Sequence, residues 1–391
     1  MTLSLRVKKN IFFLGLVSLL TDISSEMVYP LLPLFLANVL GVTIPLIGLI
    51  EGIAESTASL MKVVSGWLSD RSGRRKPFVW FGYGLSSVMK PLFALSTAGW
   101  QVLFFRFGDR VGKGIRTSPR DAMVADSSPE TEKGKSFGFH RAMDSFGAVL
   151  GPLAAFVLLP RVGENIRWIF VLSFIPALAA LLIVFIFVQE KNRDHARLPS
   201  ETGGVVRGMG GLGSEYRYFV VVVCLFTLGN SSDAFLVLRA RDLGLSTVSI
   251  PLVWLFFNAV NTVCAIPAGM ISDRLGRKRL IFCSFLLYGI VYLGFALASR
   301  PGHIWLLFSA YGVYYGLSEG VFRAYVADLV PSPLRGTAYG VFHAMSGIMA
   351  LPASLIMGIL WQSLGASWAF FFGAFMAFLS TGFLLGAPQK Q

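Results

Sequence analysis

Apolar runs close to spanning length recur along this chain, and they constrain its fold more than any other feature, because a helix needs about 20 mostly apolar residues to cross a bilayer. Val79 to Ala98, Ile169 to Val188, Leu280 to Ala298 and Ala369 to Leu385 are such runs. Ile11 to Leu20 and Phe219 to Leu228 are shorter and reach spanning length only by extending through polar positions. With 54% hydrophobic and 14% charged residues, the composition does not describe a water-soluble domain and predicts an all-α membrane protein.

A net charge of +13 raises nucleic acid as a partner, so the placement of the bases decides. They cluster at Arg6, Lys8, Lys9; at Arg71, Arg74, Arg75, Lys76; at Lys133, Lys135; at Lys191, Arg193, Arg197, Arg207; and at Arg274, Arg277, Lys278, Arg279. The alternate connections, near Asn38 to Pro45, Thr97 to Gly99 and Gly365 to Ser367, carry none. This alternation is the positive-inside pattern, which places the clusters in the cytoplasm and argues against nucleic acid. Twelve spans are expected, at 10–37, 45–69, 78–97, 100–126, 135–160, 166–188, 217–240, 247–272, 278–299, 303–328, 336–361 and 366–387. An even number puts both termini inside. The basic stretch Met1 to Asn10, with no small-residue cleavage site before Asp22, reads as the start of an uncleaved first span. The glycine-rich stretch Gln189 to Tyr216 reads as a flexible linker, dividing the chain into an N-terminal six-helix bundle at 1–188, the linker at 189–216 and a C-terminal six-helix bundle at 217–391.

The two halves repeat each other. Gly66-Trp-Leu-Ser-Asp70-Arg71-Ser-Gly73-Arg74-Arg75 recurs about 203 positions later as Gly269-Met-Ile-Ser-Asp273-Arg274-Leu-Gly276-Arg277-Lys278. Val124-Ala125-Asp126 recurs as Val326-Ala327-Asp328, and each is followed by two glycines, Gly134 and Gly138 or Gly336 and Gly340. Ser24-Ser25-Glu26 against Ser231-Ser232-Asp233 is a weaker match. Such repeats predict two similar bundles forming one site between them. Within the duplicated loop, Gly66 asks for close backbone approach and Gly73 for a tight turn. Asp70 and Asp126 end their helices, where a charge-assisted bond to Arg71 or Arg74 can break and re-form between conformations. Ordinary anchoring charge explains one copy of this loop; the duplicated spacing favours a gate.

These motifs resemble the signature of the major facilitator superfamily, and the resemblance spans the chain. It implies a twelve-helix fold of two pseudo-symmetric bundles and secondary transport by alternating access. It also implies a central cavity lined mainly by helices one, four, seven and ten. A gating role is carried onto Gly66, Asp70, Arg71, Gly73 and Arg74, and onto Gly269, Asp273, Arg274, Gly276 and Arg277; the repeated helix-end acids Asp126 and Asp328 join them as gating candidates on their position. Helix five carries Gly138, Gly147 and Gly151-Pro152 with the spacing of the superfamily's antiporter-associated motif, although Ala155 and Phe156 stand where a closing glycine pair is usual. Plain helix packing through small residues is the competing reading of Gly147, Gly151 and Pro152.

Helix four is the most informative, since Arg106, Asp109, Arg110, Lys113, Arg116, Arg120 and Asp121 interrupt a spanning segment. A charge at mid-bilayer costs about 2.5 kcal/mol or more on insertion scales, so this many require partners and a water-filled cavity. Spacings of three and four put Arg106, Asp109, Arg110 and Lys113 on one broad face. Arg110 with Gly114 resembles the superfamily's helix-four element linked to proton coupling. Candidate partners are Asp22, Glu26, Glu51, Glu55, Asp144, Asp233 and Glu319, with Arg141 and Arg323 as further cavity bases. Asp22 and Glu26 share a helix face and are the candidates to carry a coupled proton. Permanent pairing with Arg110, Lys62 or Arg141 is the equal alternative.

Other signals are bland. Cys224, Cys264 and Cys283 lie in apolar stretches at irregular spacing and read as buried inert thiols. His140 and His343, near Met143 and Met345, read as hydrogen bonders rather than metal ligands, and no metal site is expected. Tyr311, Tyr314 and Tyr315 read mostly as packing. Gly134-Lys135-Ser136 imitates the end of a phosphate-binding loop, but Pro129 stands where its first glycine belongs. Neither a cofactor nor an enzymatic activity is expected. The sequence therefore predicts a monomer in the cell membrane that exports a small anionic or zwitterionic organic solute against protons. Uptake of an organic anion or chelated metal, a lipid flippase and a non-transporting receptor are the alternatives.

Overall fold

The computed structural model describes residues 2–129, 132–190, 212–331 and 334–386. Among these residues the regular structure is helical throughout. Each expected span corresponds to one helix: α1 (Thr2–Val28), α2 (Ile44–Ser72), α3 (Lys76–Leu92), α4 (Gly99–Asp126), α5 (Lys133–Leu158), α6 (Ile166–Leu172 with Phe174–Ile186), α7 (Ser214–Gly229 with Ala234–Asp242), α8 (Ser249–Leu275), α9 (Arg277–Leu297), α10 (Pro301–Leu329), α11 (Arg335–Leu364) and α12 (Ala366–Leu385). A short turn, Leu32–Leu34, and a π-helical segment, Phe35–Val39, continue α1. Ten described helical spans are long and apolar enough to cross a membrane. The other two, α4 and α10, match them in length at 28 and 29 residues, but α4 carries charge and α10 a tyrosine- and glycine-rich centre. Most of the expected linker, 191–211, lies outside the described residues.

Two interruptions are additions to the expected pattern. In α6 the break falls at buried Ser173, whose hydroxyl donates to the Phe170 carbonyl at 2.8 Å. In α7 it falls at Asn230 to Asp233, where the Asn230 N–H donates to Phe226 and Thr227 carbonyls and the Tyr288 hydroxyl donates to the Gly229 carbonyl, each at 3.0 Å. The freed backbone is thus satisfied within the protein, as a break at membrane depth requires. The duplicated turns are as expected: Gly73 and Gly276 take φ of +65° and +89°, a region side-chain-bearing residues avoid.

The chain forms two compact units, one of residues 1–42, 57–196 and 246–255, the other of 43–56, 197–245 and 256–391. The cuts run through α2 and α8 as well as the linker. In the first unit Leu14, Val17, Val79, Tyr83, Met123 and Val184 join α1, α3, α4 and α6 in one apolar cluster. Small residues bring its helices together, since a Cβ at Gly82 would lie 2.7 Å from the Gly112 carbonyl oxygen and one at Gly114 would overlap Met61. In the second unit the core is aromatic, with Phe226 stacked on Phe285 at 4.0 Å and Tyr288 on Tyr292 at 4.1 Å. The first part of α2 packs there, where Gly52 faces Leu351 at backbone distance. The cysteines depart from expectation: Cys224 and Cys264 are half-buried and Cys283 is exposed, because its position on α9 faces away from the aromatic core.

Candidate functional site

The charges of α4 are gathered inside the first unit. Arg106, Asp109, Arg110 and Arg116 are each at most 7% exposed. Buried charge demands partners, and neighbouring helices supply them. Asp109 accepts from the Ser86 hydroxyl of α3 and lies 3.9 Å from Arg106 on its own helix. The guanidiniums of Arg106 and Arg110 lie over the Tyr29 ring at 5.3 and 5.8 Å, and that of Arg116 over Tyr83 at 4.7 Å. Lys90 of α3, 2% exposed, donates to the Ser24 hydroxyl at 3.0 Å. The close approach at Gly82 and Gly112 is what lets these α3 side chains reach α1 and α4. Lys113, the fourth residue expected on that face, is exposed and so is not buried with the other three. Lower on α4, Arg120 pairs with Asp121 at 2.9 Å and donates to Ser18 at 3.1 Å; Ser18 in turn donates to Asp144, which lies 3.6 Å from His140 Nδ1. Arg141 is exposed.

Asp22 and Glu26 are half-buried on α1, and the glycines of α5 sit directly behind them. A Cβ at Gly147 would lie 2.8 Å from the Asp22 Cβ, and one at Gly151 would lie 2.6 Å from the Glu26 Cβ. Glu26 Oε2 accepts from Trp254 Nε1 at 2.7 Å, and the Trp254 ring lies 5.2 Å from that of Tyr29. Four fully buried bases on α3 and α4, Lys90, Arg106, Arg110 and Arg116, thus gather with the fully buried Asp109. Half-buried carboxylates of the same unit include Asp22, Glu26, Asp121 and Asp144. Sequence reasoning missed Lys90, Tyr29 and Trp254. Lys90 left a signal, being a lone charge inside an apolar span; Trp254 left none, since a tryptophan in such a helix is ordinarily packing.

In the second unit, Asp233 at the α7 break accepts from the Tyr311 hydroxyl at 2.6 Å and the Tyr315 hydroxyl at 3.3 Å, both from α10. These two tyrosines hold a carboxylate in addition to packing. Glu319 and Arg323 pair with each other along α10 at 2.8 Å, on a more open face.

At the duplicated loop the acids are held by a different base from the one expected. Arg75 contacts Asp70 at 3.3 Å and pairs with Asp126, while its own N–H donates to Glu190. Arg71 instead lies over the Trp67 ring at 5.4 Å, and Arg74 is exposed. In the second half the pair is Arg277 with Asp328, and Arg277 also donates to the Ala324 carbonyl at 2.9 Å. Arg277 matches Arg74, so the ion pair is duplicated one residue out of register. The reason lies in the helix starts: α9 begins at Arg277 itself, whereas α3 begins at Lys76, after Arg75. Arg274 is exposed, and the side chain of Asp273 lies outside the described residues. A Cβ at Gly66 would meet only the Ser118 side chain, at an ordinary contact distance of 3.4 Å, and one at Gly269 would meet nothing within 4 Å, so the close backbone approach expected of these glycines is found in neither copy.

The comparisons agree with this architecture. The family model for the Major Facilitator Superfamily matches residues 14–265 and 218–391. An uncharacterized MFS-type transporter of Methanocaldococcus jannaschii is 36% identical over 97% of this chain and 94% of its own. The multidrug resistance protein MdtG of Enterobacter lignolyticus is 23% identical, over 77% of this chain and 73% of its own. Among solved structures, the nucleoside transporter NupG superposes with a TM-score of 0.82 at 11% identity, covering 97% of this chain and all of that one. A D-xylose-proton symporter superposes with a TM-score of 0.76 at 18% identity, covering 97% of each. Twelve spans among the described residues of a duplicated sequence, a glycine turn closing each copy of one ion-pair motif, and a family match running the length of the chain converge: this protein is a multi-pass membrane transporter, not an enzyme, and belongs to the Major Facilitator Superfamily.

Proposed function

We propose that this transporter exports a small anionic or zwitterionic organic solute in exchange for protons, by alternating access, as a monomer in the cell membrane with both termini cytoplasmic. The observation that supports the substrate class is the gathering of four buried bases, Lys90, Arg106, Arg110 and Arg116, on α3 and α4. A carboxylate-bearing solute is the charge complement of such a group. Asp22 and Glu26 carry the coupled proton in this reading: they are half-buried, one helical turn apart, and backed by the glycines Gly147 and Gly151. Protonation there shifts the balance between conformations. The bundles 1–188 and 217–391 are the moving bodies and 189–216 their linker, while Arg75 with Asp70 and Asp126, and Arg277 with Asp328, act as gates. The likeness to a multidrug resistance protein supports export.

Proteoliposomes loaded with acid buffer and a lumenal pH dye test this. Adding an organic acid or amino acid outside should raise lumenal pH in wild-type vesicles. Acidification on adding the solute identifies symport and overturns export by exchange. An Asp22→Asn, Glu26→Gln double variant should lose the proton flux while still binding solute; unchanged flux removes the carboxylates from the mechanism.

A further inference from the structure

Along the seam of α1 and α5 a polar residue recurs at each helical turn, and two of them, His140 and Asp144, have no part in the chemistry proposed so far. The two helices run parallel, since Gly147 packs on Asp22 and Gly151, one turn further along, packs on Glu26. On α5 the stripe is Glu132, Ser136, His140 and Asp144, each four residues from the next and therefore on one face. Glu132 is exposed at the helix start, Ser136 and His140 are 7% and 4% exposed, and Asp144 is half-buried. On α1 the stripe continues as Ser18, Asp22 and Glu26, again four apart. The crossing between the helices is held in place. Arg120 donates to the Ser18 hydroxyl, Ser18 donates to Asp144 Oδ1, and the other oxygen, Oδ2, lies 3.6 Å from His140 Nδ1. Asp22, one turn beyond Ser18, lies within electrostatic reach of Asp144.

Packing alone does not explain His140. A buried imidazole ordinarily has both nitrogens satisfied. Here Nε2 is buried with no hydrogen-bond partner, and Nδ1 faces a carboxylate just beyond hydrogen-bond distance. The other charges near the ring are Arg120 and Asp121 of α4, which pair with each other, and the exposed Arg141 of α5. Among the described residues no three potential metal ligands come together, so the open nitrogen has no metal to hold. An imidazole with one nitrogen toward an acid and the other open is suited to take a proton on one side and give it up on the other. One turn toward the helix start, the buried Ser136 hydroxyl donates to the Glu132 carbonyl at 3.1 Å, and Glu132 itself is exposed. The polar stripe thus runs from Glu26 inside the first unit to solvent.

We propose that Asp144 and His140 carry the coupled proton between Asp22 and the cytoplasmic start of α5. This rests on the exchange reading, in which Asp22 and Glu26 load the proton. His140 begins neutral, with its proton on Nε2. The Asp22 carboxyl gives its proton to the Asp144 carboxylate, Asp144 passes it to His140 Nδ1, and the imidazolium releases its other proton from Nε2 toward water at the helix start. Both carboxylates end ionised, and the neutral ring turns over to begin again. Proteoliposomes with the lumenal pH dye are challenged with lactate, benzoate, glutamate and glycine. Counterflow of the same probe, labelled, is measured at equal pH on both sides, where no net proton movement is needed. His140→Gln should lower probe-driven proton flux about tenfold or more while counterflow stays within about twofold. In His140→Ala, added imidazole should restore the flux saturably, a response that lost packing does not give. Asp144→Asn should match His140→Gln and stands in for it if that variant does not fold. Wild-type flux in both variants, or flux and counterflow falling together without rescue by imidazole, overturns the relay and leaves the exchange reading standing. A wild type in which no probe drives protons overturns the exchange reading and the relay with it.

Discussion

If Gly147 and Gly151 exist to bring α5 against the carboxylates of α1, then one added methyl should act oppositely at two glycines of the same helix. At Gly151, an alanine Cβ would lie 2.7 Å from the Ile23 carbonyl oxygen and 2.6 Å from the Glu26 Cβ. Ordinary contact begins near 3.4 Å, so α5 or α1 must yield by about 0.7–0.8 Å, and one of the two obstacles, the Ile23 carbonyl, is backbone, which cannot swing aside. Overpacking of this kind costs about 1–3 kcal/mol. At Gly138 nothing lies within 4 Å of the added methyl. There, Gly→Ala only restricts the unfolded chain and stabilises by about 0.4–1 kcal/mol. Because that gain is common to both sites, the difference between the variants isolates the packing cost. Gly151→Ala should unfold earlier than Gly138→Ala by the equivalent of about 1–3 kcal/mol, read from denaturation midpoints in detergent. It should also slow proton-linked flux, since it displaces Glu26. Equal midpoints, or a less stable Gly138→Ala, would refute the argument that this glycine pair sets the α1 to α5 distance.

The remaining expectations follow from individual contacts. Arg75→Ala should cost about 1.5–3 kcal/mol or a comparable loss of gating, since it strips Asp70 and Asp126 of a charge-assisted partner, whereas Arg74→Ala should stay within about 0.5 kcal/mol. In the second half the order reverses in register, so Arg277→Ala should be the damaging change and Lys278→Ala the mild one, measured by the same midpoints and flux. Tyr29→Leu should cost about 0.5–2 kcal/mol through lost cation–π contact with Arg106 and Arg110, read from the same unfolding midpoints. Trp254→Phe removes the donor to Glu26 and should cost about 1.5–3 kcal/mol by the same unfolding assay, with Glu26→Gln shrinking the effect of a subsequent Trp254→Phe change in a double-mutant cycle.

Much of the candidate site could be read before any coordinates. Charges of α4 in a span that must cross lipid announced themselves because the bilayer makes their presence expensive, and three of the four residues placed on one face, Arg106, Asp109 and Arg110, are buried together. Lys113 fell outside, because helical spacing fixes an angle around an axis but not which neighbour covers it. The pairing of Asp233 with Tyr311 and Tyr315 was equally hidden: each residue is ordinary in its own helix, and only the packing of α10 against the α7 break makes them partners.

What the sequence determined by itself is what one-dimensional physics can see. Hydrophobic length sets the helices, glycine at a positive φ sets the duplicated turns, and repetition sets two related halves. What tertiary structure alone decided is which atoms meet. The choice of Arg75 over Arg74 in one half and of Arg277 over Lys278 in the other follows from where α3 and α9 begin. The hold of Trp254 on Glu26, and the place of Lys90 beside Ser24, follow from helix approach distances that small residues permit but do not encode. Periodicity fixes the face a residue occupies; contact requires a second helix at a particular distance, and that distance is a property of the packed bundle rather than of either helix.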